Sequence, residues 1–469
     1  MPEKYHINTK PIPPRNARIG KYGVVDWRED CCRCHNCVKK ACVYDRYRGE
    51  AAYLRKLNEV DALFFECMGC FSCVQECTKG LLSMAVNPAF MRMGNEYWSP
   101  DIIQTTMVQA ETAKIPVSGA GYGGRFSGHG FDGMWTDMSE IVRPTRDGIH
   151  GREYISTSAD VGRKPTYLRF NEKQSLDTVP NLISMPLPVI MDIIPIRHGL
   201  ETMEQIRLET AQRTGLTALV DTRNWPVAGV TLAEVKDNLA FYVGTGQALP
   251  AAEDLRQTRF IEIADQAKVI EQIAEIKKIH PSVIVSIRVQ LDKQGAQRVR
   301  ELAANEAVEV IHFCADSNGN EIGVENPRHI KELIREIHLA LIEDGRRDDI
   351  TLIAGGGIAL AEHVAKALLC GTDLISMDLP LLIGLECDLC GRCEFGKSCH
   401  AKIPEVTLDY GVGRMVNLIG AWHGQLIELM GAMGIREARR LRGDVGRAMF
   451  FEELEEQNFG PLFGTRKQA

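Results

Sequence analysis

The sequence predicts an α/β protein built on a (β/α)8 barrel of the TIM type, preceded by a small cysteine-rich domain. Two observations lead to this prediction. From about Pro186 onward, short apolar runs alternate with amphipathic helical patterns, which is typical of consecutive βαβ units and a parallel sheet. Nearer the N-terminus, eight cysteines fall into two tight groups between Cys31 and Cys77. The chain has 469 residues, enough for a barrel of about 250 residues and smaller domains beside it.

Seven apolar runs are predicted to be barrel strands. In chain order they are PVIMDII, LTALVDT, RFIEIA, SVIVSIRV, VEVIHFCA, TLIAGG and DLISMD. The stretches between them, such as LETMEQIRLETAQR, have the apolar spacing of helices that cover a sheet. An eighth strand is needed to close the barrel, and we expect it between Gly323 and Asp349. His312, inside the VEVIHFCA run, is expected to be a core residue with its hydrogen bonds satisfied.

Three consecutive glycines, Gly355, Gly356 and Gly357, follow the TLIA run and precede a helical pattern. In a (β/α)8 barrel the loops after the last two strands commonly hold the phosphate of a cofactor. Glycines let backbone N–H groups approach phosphate oxygens, and the following helix N-terminus adds a partial positive charge. We therefore predict a cofactor-phosphate site here, with Gly371 as a further cofactor-binding position. A tight turn without a ligand is an equally weighted alternative.

A third group of cysteines follows the last predicted strand at spacing C-x2-C-x2-C-x5-C. This spacing is typical of an iron–sulfur cluster, whereas zinc sites usually pair two C-x2-C units across a longer spacer. A cluster fastened beside a phosphate-bearing cofactor favours flavin mononucleotide (FMN), which exchanges single electrons with clusters and electron pairs with substrates. The predicted ligands are Cys387, Cys390, Cys393 and Cys399.

The two N-terminal groups resemble a bacterial ferredoxin module with two [4Fe–4S] clusters. In that module the fourth cysteine of each group binds the other cluster. The proline that usually follows the fourth cysteine is replaced by Val43 and Thr78, and Cys32 is left as a spare thiol. Three [4Fe–4S] clusters are thus predicted in the chain. The N-terminal ligands are Cys31, Cys34, Cys37 and Cys77 for one cluster, and Cys67, Cys70, Cys73 and Cys42 for the other.

Composition excludes several classes of function. The formal net charge of −7 argues against a nucleic-acid partner. No apolar run approaches the roughly 20 residues of a membrane helix. The polar, proline-rich N-terminus is unlike a secretory signal, so we expect a cytoplasmic protein whose thiols stay reduced.

The predicted organisation has four parts. Residues 1–85 form a ferredoxin-like iron–sulfur domain, and residues 86–180 form a glycine-rich linker and covering segment. Residues 181–386 form the FMN-binding barrel, and residues 387–469 contain the third cluster site and C-terminal helices. Within the second part, the stretch from Gly119 to Gly133 is expected to be a loop that packs over the barrel, since it lacks a strand–turn–helix frame.

Several longer motifs resemble the FMN-binding domain of the archaeal-type glutamate synthases, which also begin with a two-cluster ferredoxin-like segment. The motifs are the N-terminal cysteine groups, GYGGRFSGHGFDGMWTDMSEIVRPTRDGIHGREYIST, HLALIEDGRRDDITLIAGGGI and GTDLISMDLPLLIGLECDLCGRC. The resemblance covers most of the chain. It implies an FMN-binding (β/α)8 barrel with an attached cluster, and a reaction that reduces 2-iminoglutarate, formed from 2-oxoglutarate and ammonia, to glutamate.

The resemblance also implies roles for individual residues. The family's lysine near the flavin corresponds to Arg288, which keeps the positive charge and could stabilise a reduced flavin. Gln266 and Lys268 match a second family motif beside the cofactor. Arg197, after the first strand, could hold a substrate carboxylate at the rim where barrel enzymes have their active sites.

Two segments depart from the family pattern. The glycine-rich substrate loop after the second strand is replaced by DTRNWP, from Asp221 to Pro226, and Trp225 is far bulkier than glycine. After the last strand, Asp378 stands where a phosphate would be approached, and its charge would repel the phosphate unless it points away. These changes put the family substrate in doubt.

Two functions therefore remain open. The first is a glutamate synthase-like enzyme, in which electrons pass from the N-terminal clusters to the third cluster, to FMN and to an anionic small-molecule substrate. The second is an electron-relay subunit of a larger redox complex, or an FMN enzyme with a different substrate. Both need a redox partner, for which a ferredoxin, an NAD(P)H-oxidising subunit or an amidotransferase subunit is expected.

Overall fold

The central feature of the structure, a computed structural model, is a closed barrel of eight parallel strands. The structure describes residues 5–16, 19, 21–25, 34, 72–80, 84–115, 128–136, 154–165, 167–176, 180–195, 200–395, 397–399 and 401–464. The barrel strands are β1 (Val189–Met191), β2 (Ala218–Asp221), β3 (Leu239–Val243), β4 (Phe260–Ala264), β5 (Ile284–Gln290), β6 (Val310–Cys314), β7 (Thr351–Gly355) and β8 (Leu374–Met377).

Each barrel strand pairs with its neighbours in chain order, and β8 pairs with β1 to close the ring. The predicted (β/α)8 barrel is therefore confirmed. All seven predicted runs contain a strand, because each combines β-branched and apolar residues that can be buried on both faces.

The prediction for the eighth strand is wrong. The missing strand is β3, and the stretch between Gly323 and Asp349 contains the helix Ile330–Glu343 instead. That helix buries Ile330, Ile334, Ile337 and Leu341, spaced three or four residues apart as a helical face requires. The run LAFYV of β3 is too short for its type to be read from periodicity.

Helices follow the barrel strands in the chain and cover the outside of the barrel. They are α1 (Leu200–Thr214), α2 (Leu232–Val235), α3 (Ala252–Gln257), α4 (Val269–Ile279), α5 (Gly295–Ala303), α6 (Ile330–Glu343), α7 (Ala361–Cys370), α8 (Leu379–Gly384) and α9 (Leu408–Met433).

An apolar layer fills the lower, N-terminal end of the barrel. The strand pair Ala159–Val161 and Ile183–Met185 packs its side chains against this layer and covers that end. Because this end is sealed by apolar side chains, the polar chemistry of the barrel is confined to the carboxyl end of the strands. The strand residues of the layer are Ile190, Leu219, Ala240, Phe260, Ile284, Val310, Ile353 and Leu374.

The end of the glycine-rich segment packs against α7. Phe131 is buried, its carbonyl accepts a hydrogen bond from Lys366 Nζ at 2.8 Å, and Asp132 contacts His363 Nε2 at 3.1 Å. Residues 128–133 thus pack against the outer helices of the barrel. The start of the segment, from Gly119 to residue 127, lies outside the described residues.

The chain forms two compact units. One contains residues 1–12, 105–385 and 402–469, and the other contains residues 13–104 and 386–401. Within the second unit, Glu386 accepts hydrogen bonds from the Arg15 backbone at 2.7 Å and from Asn16 Nδ2 at 2.6 Å. The described part of that unit also has an antiparallel strand pair, Tyr22–Val25 with Met84–Val86. The four-part domain division stays a prediction.

The helix α9 is tied to the rest of its unit by Asn417. The Nδ2 of Asn417 donates hydrogen bonds to the carbonyl of Lys10 at 2.7 Å and to the carbonyl of Ala110 at 3.0 Å. Both backbone carbonyls thereby have a hydrogen-bond partner. Within the described residues, no helix has both the length and the apolar character needed to cross a membrane.

Gly371 gives a test of the packing between α6 and α7. It ends α7 with φ 125°, and a Cβ there would lie 2.3 Å from the His338 ring. Gly345 also has positive φ, 65°, but nothing lies within 4 Å of its Cβ position. We expect Gly345→Ala to lower the free energy of unfolding by about 1 kcal/mol, from backbone strain alone. Gly371→Ala should lower it by about 3 kcal/mol because overpacking adds to that strain.

The measurement is urea denaturation of both variants and the parent protein. Equal losses in the two variants would contradict the close approach of Gly371 to His338.

Candidate functional site

A polar layer lies directly above the apolar layer of the barrel. Residues two positions apart on a strand point to the same side, so each apolar residue of the lower ring is followed by a second inward position. Seven of these eight positions are polar, and the eighth is glycine. The polar layer consists of Asp192, Asp221, Tyr242, Glu262, Ser286, His312, Gly355 and Ser376.

Glu262 on β4 is the hub of this layer and is fully buried. Its carboxylate accepts hydrogen bonds from Arg288 Nε at 2.6 Å and Ser286 Oγ at 3.1 Å, and contacts His312 Nδ1 at 2.9 Å. Burial alone would raise the pKa of Glu262, but the charges of Arg288 and His312 lower it below its ordinary value. The residue is therefore a buried carboxylate stabilised by its neighbours.

Arg288 on β5 lies at the top of the layer, with only 18% of its side chain exposed. Its guanidinium forms ion pairs with Asp192 and Glu262 and lies 4.7 Å from the centre of the Tyr242 ring. Burial would lower the pKa of Arg288, but the two carboxylates raise it well above its ordinary value. The residue is thus at the barrel mouth, as predicted, and its charge is matched by two carboxylates.

His312 on β6 uses both ring nitrogens. Nδ1 faces Glu262, while Nε2 lies 3.0 Å from Ser376 Oγ and 3.3 Å from Cys314 Sγ. Burial would lower the pKa of His312, but the Cys314 sulfur and the Glu262 carboxylate raise it to about 10. The prediction that His312 is a buried residue with its hydrogen bonds satisfied is confirmed. Its neighbours also change its pKa, so the side chain could take part in chemistry.

Two aspartates flank this network. Asp192 follows β1, and although burial opposes it, Arg288 and His312 lower its pKa to about 2. Asp378 follows β8, and burial together with the charge of Asp192 raises its pKa to about 6. Asp378 Oδ1 is buried and has no hydrogen-bond partner among the described residues. Asp378 is therefore a carboxyl group that can change charge near neutral pH.

The predicted cradle glycines lie at the carboxyl end of β7. Gly356 has φ 91°, and its Cβ position is 2.5 Å from the Asp316 carbonyl oxygen. Gly357 has φ 69°, and its Cβ position is 2.5 Å from Gly319 Cα. Both positions need glycine because the loop after β6 packs against their backbone, so the tight-turn explanation accounts for them without a ligand. Gly371 lies before β8, at the opposite end of the barrel from Gly355.

The other predicted site residues are placed as follows. Gln266 follows β4 and donates to Gln272 Oε1 at 2.7 Å. Lys268 is 80% exposed on its side chain and lies 4.0 Å from Glu271. Arg197 lies outside the described residues. Of the predicted catalytic residues that the structure describes, Arg288 contacts the polar layer and Lys268 is on the exposed surface.

The loop from Asp221 to Pro226 is a compact turn. It differs from a glycine-rich loop whose backbone could approach a substrate closely. The Asp221 carboxylate accepts from the Arg223 backbone at 2.9 Å and pairs with its guanidinium at 2.6 Å. Trp225 packs edge-on against Phe241, with ring centres 5.5 Å apart, and its indole donates to Asp254 at 3.3 Å. The loop is thereby fixed by its own side chains.

Three cysteines of the third group, Cys387, Cys390 and Cys399, lie close enough to influence one another. Burial raises the pKa of Cys387 to about 12, with the nearby Asp388, Cys399 and Cys390 adding to the effect. Burial, Asp388 and Cys399 likewise raise the pKa of Cys390. Cys393 is exposed. In the N-terminal groups only Cys34 and Cys77 have described side chains, and the remaining predicted ligands there lie outside the described side chains.

Sequence reasoning missed most of the polar layer. The positions of Asp192, Glu262, Ser286 and Ser376, and of Cys314 just above the layer, could have been found from one signal. This signal is a polar or sulfur-containing residue that interrupts an otherwise apolar strand near its carboxyl end. The hydrogen-bond and ion-pair partners of these residues could not have been found from the sequence, because they depend on how the strands are arranged around the barrel.

Comparison with known proteins finds similarity to glutamate synthases. Residues 247–436 match the family model described as the conserved region in glutamate synthase. The archaeal-type glutamate synthase (NADPH) of Dehalococcoides mccartyi is 22% identical over 486 aligned residues, which cover 90% of this chain and 93% of the relative. The protein of that name from Thermotoga maritima is 24% identical and covers 91% and 94%.

Among solved structures, mandelate oxidase with (S)-2-phenylpropionate aligns with 66% of this chain and 97% of its own. The TM-score is 0.38 and the identity is 13%, so we draw no functional inference from it.

Arg288 gives a test of the polar layer. Replacing it by Met leaves the Asp192 and Glu262 carboxylates buried without their cation, which should lower the free energy of unfolding by about 3–5 kcal/mol. The matched control is Arg298→Met, because Arg298 pairs with Asp265 at 2.8 Å while 35% of its side chain is exposed. That change should cost about 1 kcal/mol or less.

Urea denaturation of both variants at pH 7 measures the difference. Similar losses for the two arginines would show that the buried network does not exist as described.

Proposed function

Because this chain is a relative of the archaeal-type glutamate synthases over nine tenths of its length, we propose that it is an iron–sulfur flavoprotein oxidoreductase with FMN at the barrel mouth. The relationship supports an oxidoreductase of the glutamate synthase family. The observation that carries the cofactor proposal is the buried polar layer at the carboxyl end of a closed barrel, the end at which barrel enzymes have their active sites.

The residues at the mouth are compatible with the cofactor. Gly355, Gly356 and Gly357 would hold the phosphate through their backbone, since glycine leaves that edge of the barrel without side chains. Arg288 and Gln266 would lie toward the flavin ring. When bound, FMN supplies a site that accepts single electrons and passes electron pairs to a substrate.

The 12 grouped cysteines would hold three [4Fe–4S] clusters. This proposal is supported by their spacing and by the mutual influence of Cys387, Cys390 and Cys399. Electrons would enter through the N-terminal clusters, pass to the third cluster and reach the flavin. Since the relatives are named for NADPH, an NADPH-oxidising protein is a reasonable donor, and a ferredoxin or an amidotransferase subunit are further candidate partners.

The substrate is proposed to differ from 2-iminoglutarate. A substrate with two carboxylates needs cations at the mouth, and the described candidates are already engaged or point away. Arg288 pairs with two carboxylates, Arg223 pairs with Asp221, and Lys268 is exposed beside Glu271. Trp225 and the fixed loop around it also stand where a glycine-rich loop would bring its backbone close to the substrate. The lack of an unpaired cation among these described candidates, together with the Trp225 loop, favours the second candidate. That candidate is an FMN enzyme with another substrate or an electron-relay subunit.

The cofactor content can be measured directly. We expect anaerobically purified protein to contain about 12 iron atoms, in line with three clusters of four, and one FMN. Cys390→Ser should remove one cluster's iron and slow reduction of the flavin, whereas the control Cys32→Ser should change neither. Zinc in place of iron, or the absence of flavin, would refute this composition.

The substrate proposal has its own assay. With reduced ferredoxin or a reduced dye, 2-oxoglutarate and ammonia, we expect the flavin to be reduced but glutamate formation to be weak or absent. Turnover at about 1–10³ per second, the range of ordinary enzymes, would restore the glutamate synthase reaction.

Asp378 makes FMN binding depend on pH. Its pKa is about 6, so above pH 6 its carboxylate is negative and repels the nearby phosphate of the proposed cofactor. We expect Asp378→Asn to bind FMN up to about tenfold more tightly than the parent at pH 8, with the difference disappearing near pH 5 where the parent aspartate is protonated.

Fluorescence titration of flavin-free protein with FMN measures both affinities. Asp348→Asn is the control, because Asp348 is 86% exposed and pairs with Arg442 at the other end of the barrel. If Asp378→Asn and the parent bind FMN equally at every pH, Asp378 does not face the phosphate.

A further inference from the structure

We propose that Asp192, His312 and Cys314 form a binding site for a divalent transition metal, with zinc as the best match. Their ligand atoms all lie within 4.8 Å of one another, and among the described residues they are the group of three metal-binding side chains brought together in this way. This inference concerns the polar layer itself and does not rest on the proposed flavin.

The distances match a tetrahedral site. His312 Nε2 lies 3.3 Å from Cys314 Sγ and 3.9 Å from Asp192 Oδ2. With zinc–nitrogen and zinc–sulfur bonds of about 2.0 and 2.3 Å, tetrahedral ligands are separated by roughly 3.3–3.7 Å. His312 and Cys314 are already at this spacing, and the Asp192 oxygen, which lies within 4.8 Å of both, would move by about 1 Å to share the ion.

The surrounding groups already orient the three ligands. His312 Nδ1 faces the buried Glu262 carboxylate at 2.9 Å, which directs Nε2 toward the other ligands. A carboxylate on the second nitrogen is the usual partner of a metal-bound histidine. Asp192 Oδ1 is held by the Ile193 backbone at 2.7 Å and by Arg288, so Oδ2 is the oxygen turned toward His312.

Gly355 leaves the space among these ligands open. A Cβ at this position would lie 2.8 Å from His312 Nε2, 3.1 Å from Cys314 Sγ and 2.4 Å from Ser376 Oγ. Any side chain there would fill the volume that an ion and its fourth ligand would use. Ser376 Oγ borders that volume, and three protein ligands with an open position are typical of catalytic rather than structural zinc.

The donor set selects the class of metal. One thiolate, one imidazole and one carboxylate suit zinc and similar borderline ions, whereas magnesium and calcium prefer oxygen ligands alone. Binding requires the deprotonated thiol and an unprotonated Nε2, so these protons leave to solvent as the ion binds.

The same side chains suggest one competing interpretation. Cys314, His312 and Glu262 are arranged as a nucleophile, a base and an orienting carboxylate. The two interpretations differ in a measurable way, since a metal-bound thiolate is protected from alkylation while a nucleophilic thiolate reacts quickly.

The test uses the full chain with its iron content measured, incubated with one equivalent of zinc under anaerobic conditions and freed of unbound ion. We expect one zinc per chain, and zinc-edge X-ray absorption should show one sulfur neighbour at about 2.3 Å with two or three nitrogen or oxygen neighbours at about 2.0 Å. Zinc should also protect Cys314 from iodoacetamide.

Two variants locate the ion. Cys314→Ser and His312→Gln should each lose the bound zinc, whereas Cys370→Ala, which removes the other described ungrouped cysteine, should keep it. Since Cys314 is only partly buried, its serine variant tests the site even where His312→Gln fails to fold. A zinc with four sulfur neighbours, zinc retained in Cys314→Ser, or no zinc together with rapid alkylation of Cys314 would overturn the proposal.

Discussion

Charge compensation inside the barrel is the constraint on which the upper half of this structure depends. Burying an uncompensated carboxylate is far more costly than a folded domain can tolerate, so Glu262 and Asp192 can remain ionised only beside Arg288 and His312. Each of these side chains comes from a different strand or strand end. The network therefore requires β1, β4, β5 and β6 to be correctly placed around the ring, and it couples the chemistry of the mouth to the closure of the fold.

The strand periodicity explains why this network lies where it does. Inward positions alternate along each strand, so one ring of eight residues can be apolar and the next ring polar. The pair Ala159–Val161 and Ile183–Met185 covers the apolar ring from below, which leaves the polar ring as the boundary toward the carboxyl end. Barrel enzymes use that end for catalysis, because loops from all eight strands converge there. The same alternation thus produces both the core and the candidate site.

The sequence was sufficient for the barrel and for seven strands, because those features depend on local patterns. It was insufficient for β3, since LAFYV is short and carries no period that separates strand from helix. It was also insufficient for the polar layer. Glu262 is 26 residues from Arg288 and 50 from His312, so their contacts depend on ring closure rather than local sequence. Gly371 shows the opposite error, because a glycine required by packing against His338 resembled a cofactor glycine.

Compensation also limits what the charge of Arg288 can do at the barrel mouth. A lone cation beside a flavin attracts negative charge, but Arg288 shares its charge between Asp192 and Glu262 and lies over the Tyr242 ring. These two carboxylates and one guanidinium leave one negative charge, which His312 balances when it is protonated. The net charge at the mouth then depends on the protonation of His312 as well as on Arg288. A metal ion bound to Asp192, His312 and Cys314 would replace the proton of His312 as the compensating positive charge. Occupancy of this site would therefore change the net charge next to any bound cofactor or substrate.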